Sequence, residues 1–113
     1  MKVPKSHFNR FKKECLRWQE KLGLTCYRAY FEQKDLPGNY AEIKGNEPGG
    51  VALLLLCTKR DQDYGDPEQH AKHEVIHLLL HRLVWLAQQR YVTEDEIHRE
   101  WEALVRRLEK VLK

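Results

Sequence analysis

A chain of 113 residues, 42% hydrophobic and 33% charged, has the composition of one globular domain, long enough to bury one core around one site. A formal net charge of +3 is too mild for a protein built mainly to grip nucleic acid, which needs a dense basic face. The longest apolar run, Val51 to Cys57, cannot span a bilayer, and the start MKVPKSHFNRFKK lacks the apolar centre of a signal peptide, so the expected setting is cytoplasmic with no membrane partner.

In chain order, Phe8, Phe11, Cys15, Trp18 and Leu22 recur at helical spacing and predict an amphipathic helix over 8–22. Ser6 is its expected N-cap and Gly23 its stop, and its aromatic residues are expected core anchors. Shorter β-type runs follow. The aromatic stretch 26–31 predicts a strand, Leu36-Pro37-Gly38-Asn39 a turn, and 40–44 a second strand with Tyr40, Glu42 and Lys44 on one side and Ala41 and Ile43 on the other. A turn-rich connection over 45–50 leads to Val51–Cys57, whose lack of polar residues predicts a buried strand. The second and third strands should form a hairpin, and all three a small antiparallel or mixed sheet. Cys15, Cys26 and Cys57 are odd in number and without a C-x-x-C pair, which points to reduced core thiols.

After a polar loop over 58–65, Asp66 as N-cap, Pro67 in the first turn and Gln69 in a capping box open a long helix, expected to run to about Arg90. Val75, Ile76, Leu78, Leu79, Leu80, Leu83, Val84 and Leu86 make it apolar over most of its circumference, which marks it as central and enclosed. Thr93 to Glu96 is a second capping-box sequence. Ile97, Trp101, Leu104, Leu108 and Val111 then define the apolar stripe of a closing helix. The order α-β-β-β-α-α describes a single α+β domain over 1–113.

The chemistry-bearing stretch is HAKHEVIHLLLH, His70 to His81. Within it His73, Glu74 and His77 form H-E-x-x-H. A helix turning about 100° per residue places His73 and His77 one turn apart on one face, where both reach a single ion. Glu74 stands beside that face, where a base can take a proton from a metal-bound water. A catalytic zinc usually takes three protein ligands. His81 lies about 12 Å of helical rise from His73, too far to share the ion, so His70 and His81 are expected at the mouth of the site or behind the ligands. The last helix offers Glu94, Glu96, His98, Glu100, Glu102 and Glu109, and periodicity does not choose among them, Glu94 and Glu100 being angularly nearer the apolar stripe than Glu102.

The segments WQEKLGL, YAEIKGN, VALLLL, AKHEVIHLLLHRL and EWEALVRRLEKVL together resemble the minigluzincins, small zinc metallopeptidases of minimal zincin-like fold with phage and prokaryotic relatives. The resemblance implies Zn2+ held by His73, His77 and an acid of the last helix, Glu102 in WEALVRRL, with Glu100 second. It implies hydrolysis of a peptide or protein substrate with Glu74 as general base, and His98 or Tyr91 as candidates to steady the oxyanion. An exposed strand near 51–57 would align the substrate by strand addition. Latency is a further implication, with residues 1–7 or the C-terminal end covering the cleft. A Cys57 thiolate on the zinc is another, although a core thiol is the simpler reading. The competing class is a non-catalytic module of the same fold that binds a protein partner or a nucleic acid; oligomeric state is not legible.

Overall fold

The computed structural model describes residues 2–46, 49–59 and 65–112; parts of the expected 45–50 turn and 58–65 loop lie outside the described residues. The elements follow the order α1 (Lys5–Lys21), β1 (Arg28–Lys34), β2 (Ala41–Asn46), β3 (Val51–Cys57), α2 (Pro67–Ala87) and α3 (Glu94–Val111). The architecture is α+β, three helices with one mixed three-stranded sheet in the order β1-β3-β2. No described helix is long and apolar enough to cross a membrane.

β3 occupies the centre because its side chains alone can be buried on both faces: Leu54, Leu55, Leu56 and Cys57 are all buried. It pairs antiparallel with β2 in the expected hairpin, from Asn46↔Val51 to Ala41↔Leu56, and parallel with β1 from Arg28↔Val51 to Lys34↔Cys57. A strand near 51–57 is thus hydrogen-bonded along both edges and cannot accept a peptide. The sheet edges belong to β1 and β2, and β2 is the one that runs beside α2. β1 starts later than its aromatic run predicts because Tyr27 is used as a buried plug and Gln19, buried on α1, donates to the carbonyls of Leu24 and Tyr27 at 3.0 and 2.8 Å. Those bonds satisfy a connection that would otherwise leave polar groups unpaired in the core.

α1 presents Phe11, Cys15 and Gln19 inward, and Phe11 and Cys15 join Ala71, Val75 and Leu78 of α2 in the core. Its N-cap is Pro4 and no side chain caps it, so Ser6 lies inside the helix; Gly23, with φ of 70°, ends it in the left-handed conformation that glycine adopts freely. Trp18 is half-buried, with the Lys72 ammonium 5.2 Å from its ring centre, so it clasps α1 to α2 at the surface. Asp66 and Pro67 open α2 as expected, but the Asp66 side chain makes no cap hydrogen bond. α2 ends at Ala87 rather than Arg90, since the residues after Leu86 are exposed and have nothing to pack on. Its outward side also differs from the enclosed helix expected: Ile76, Leu80 and Val84 are exposed. No disulfide joins the cysteines; Cys15 and Cys57 are core residues, whereas Cys26 is exposed.

α3 begins with the complete capping box, Thr93 Oγ1 accepting from the Glu96 amide and the Glu96 carboxylate accepting from the Thr93 amide. Its apolar stripe packs only from Leu104 onward, with Leu108 and Val111 against the core. Leu104 is buried, but Ile97 is exposed and Trp101 is 58% exposed, while Glu100 is buried. The helix is rolled so that the Glu100–Leu104 side meets α2.

Candidate active site

β2 runs alongside α2 in matched steps. Tyr40 rests on His70, ring centroids 4.6 Å apart, at one end, and Gly45 lies against His81 at the other. The five strand steps from Tyr40 to Gly45 span roughly 16 Å, and the eleven helical steps from His70 to His81 about the same. The approach at Gly45 is so close that a Cβ there would fall 2.6 Å from His81 Nε2, which is why the position tolerates no side chain without displacing the ring. The outer two imidazoles of the stripe are therefore struts that hold the strand off the helix. Between them opens a cleft of about 450 Å³, lined from β2 and its lead-in by Asn39, Ala41, Glu42 and Ile43 and from α2 by residues including His73, Glu74 and His77.

His73 and His77 converge across one helical turn. Their rings stand edge to face at 79°, and their Nε2 atoms are 3.2 Å apart. Two nitrogens bound tetrahedrally to one zinc at 2.0–2.1 Å would lie about 3.3 Å apart, so the pair fits two of the ion's positions. Glu74 is only 7% exposed, with its side chain on the cleft wall. Burial raises its pKa; the neighbouring His73, His77 and His70 pull the other way, and Glu42 adds to the rise.

The expected third ligand is not brought to this pair. Among the described residues, no third His, Cys, Asp or Glu groups with it to hold a metal ion. Glu100 instead approaches Arg82, Nε to Oε2 3.4 Å. Arg82 is five residues beyond His77 and so roughly 140° farther round α2, on the other flank from the imidazoles. Glu102 is half-buried and about 200° round α3 from Glu100, turned from the side that meets α2. Glu94 is exposed and Glu96 is engaged in the cap. The oxyanion candidates do not line the cleft either: His98 packs edge-on against Trp101, and Tyr91 is 82% exposed. Cys57, at the end of β3, is fully buried and lies outside the cleft lining.

Nor does a described terminus cover the site. Lys2 bridges to Lys59 and the Val3 carbonyl accepts from Gln33, which fastens the N-terminal segment beside β1 and the end of β3. The last turns of α3, at Arg107 and Lys110, border Leu22 and Gly23.

Sequence reasoning missed Glu42 and Gly45. The alternation of 40–44 separates Ala41 and Ile43 from Glu42, but only the packing of β2 beside α2 brings Glu42 to the cleft and Gly45 to His81. Comparison with known proteins finds no matching family model, no similar curated protein and no similar solved structure.

Proposed function

We propose that the cleft between β2 and α2 binds zinc on His73 and His77 and hydrolyses peptide bonds with Glu74 as general base, as the resemblance to minigluzincins implies. The observation that carries this reading is the 3.2 Å approach of the two Nε2 atoms beside a buried carboxylate. An Nε2···Nε2 approach of this length is met either by a hydrogen bond between rings of different tautomer or by one cation bound to both, and the resemblance favours the cation. A bound zinc would supply Lewis acidity, polarising the substrate carbonyl and acidifying nearby water. Glu74 takes the proton of the attacking water and returns it to the leaving amine; its burial, by strengthening its hold on a proton, suits it to both transfers. The free edge of β2 aligns an extended peptide along the cleft.

The third ligand is proposed to come from α3. The resemblance favours Glu102, and burial on the side facing α2 favours Glu100. Zinc titration of Glu100→Ala and Glu102→Ala separates them: loss of the true ligand weakens binding at least ~10-fold, and the other variant binds as wild type. Zinc affinity unchanged in both removes α3 from the site. For the reaction, Glu74→Gln should retain zinc while peptide hydrolysis falls ~10²–10⁴-fold. Zinc-loaded wild type that cuts no member of a mixed peptide library defeats the peptidase reading.

One observation favours a second reading. Ile97, Trp101 and Val105 are exposed along one side of α3, the kind of apolar surface on which a non-catalytic module docks a protein partner. That reading predicts zinc without hydrolysis, or no zinc uptake.

A further inference from the structure

The cleft holds a second carboxylate that proton transfer by Glu74 does not use. Glu42 is half-buried on β2, on the strand face opposite Ala41 and Ile43, and at the sheet edge it lines the cleft together with His73, Glu74 and His77. Its carboxylate is held in place, because Asn39 Nδ2, from the turn leading into β2, donates to Oε1 at 3.0 Å. Among the described residues no Lys or Arg lines the cleft, and Lys44, two residues along β2, is exposed and outside it. A carboxylate partly withdrawn from water with no cation beside it is unfavourable unless a ligand brings one.

We propose that Glu42 is a specificity residue: it receives the ammonium or guanidinium of a lysine or arginine side chain in a peptide lying along the free edge of β2. The proposal rests on the peptidase reading only in taking an extended peptide as the cleft's occupant. On a strand added to β2, the residue opposite Glu42 projects from the same sheet face, with its Cβ about 5 Å from that of Glu42. An arginine or lysine there places its charge over the carboxylate that Asn39 orients. A neutral side chain at the same position leaves Glu42 without a partner, so discrimination comes as much from the penalty on wrong peptides as from the gain on right ones.

Binding tests this without turnover. The full chain is kept metal-free with a chelator and titrated with an eight-residue peptide, acetylated and amidated, carrying one central arginine, and with its norleucine counterpart. The arginine peptide is expected to bind about tenfold more tightly. Glu42→Gln keeps an oxygen to accept from Asn39, so the strand end is preserved, and the preference should fall to about onefold; Glu42→Lys should favour a central glutamate instead. Equal affinities for the wild type, no binding of either peptide, or a preference that survives Glu42→Gln overturns the assignment. Hydrolysis is scored separately in zinc. Cleavage indifferent to charge also overturns it, whereas charge-selective binding with neither peptide cut leaves Glu42 assigned and removes the peptidase reading.

Discussion

α1 and α3 are both amphipathic helices packed against α2, and they meet it in different ways. α1 lands its stripe: Phe11 and Cys15 are buried in one cluster with Ala71, Val75 and Leu78, and Cys15 Sγ lies 4.0 Å from the Ala71 carbonyl. α3 lands only the second half of its stripe. Leu104, Leu108 and Val111 reach the core and Glu100 meets Arg82, while Ile97 and Trp101 stay in solvent. Amphipathic spacing specifies that a helix has an apolar face; it does not specify which neighbour that face will find. One interface is therefore a shared core. The other reaches that core through half of its stripe and begins with a well-made cap.

The sharpest way to break that comparison is to truncate one residue on each side. Phe11→Ala, which empties a fully buried site, should cost about 3–5 kcal/mol in urea unfolding, and a cost below ~1 would mean the α1–α2 core is not what holds the fold. Gly45→Ala probes the strut between β2 and α2. Adding a methyl 2.6 Å from His81 Nε2 should cost about 1–3 kcal/mol, and pairing it with His81→Ala should recover most of that loss. Additive costs in the double variant would show that the ring is not what the methyl meets.

Thr93→Ala removes the side-chain acceptor of the α3 cap and should cost about 1 kcal/mol, measurable against an unchanged denaturant slope. By contrast, Trp101→Ser should change stability by less than ~0.5 kcal/mol despite removing the largest apolar side chain of α3, because that side chain is mostly in solvent. A loss of several kcal/mol would show α3 packing through the first half of its stripe as well.

The smallest effect is a pH dependence of the clasp between α1 and α2. Arg10 donates to both Glu68 oxygens at 2.5 and 2.8 Å and holds the Glu68 carboxyl below its ordinary pKa. A carboxyl depressed in the folded state contributes stability above its unfolded pKa, and the contribution disappears as pH falls through the folded value. The stability gap between wild type and Arg10→Gln should thus be constant near neutrality and close on acidification. Both groups are exposed, so the gap should also shrink with salt. A gap that widens toward low pH would reverse the sign and remove the pair as its cause.

Much of the fold was legible because local signals and burial agreed. Val51–Cys57 could only be a buried strand, Thr93 and Glu96 could only begin a helix, and His73 and His77 share a face wherever that helix sits. Misjudged boundaries lie where a tertiary partner decides: β1 extends to Lys34 because β3 supplies pairing through Cys57, and α2 stops where its packing surface runs out. The convergence of His73 and His77 was readable from spacing. The choice between Glu100 and Glu102 was not, because the roll of α3 about its own axis leaves no trace in a periodic pattern.

By itself the sequence determined the element types, the buried strand and a two-imidazole, one-carboxylate unit on α2, all of which follow from chemistry repeated within a few residues. Only the tertiary structure decided that β3 is central with β1 and β2 at the edges, that His70 and His81 seat β2 through Tyr40 and Gly45, and that Glu42 shares a cleft with the imidazoles. Those relations join residues far apart in the chain. They are fixed by which surfaces bury best together, a property of the whole packed molecule that no short window contains.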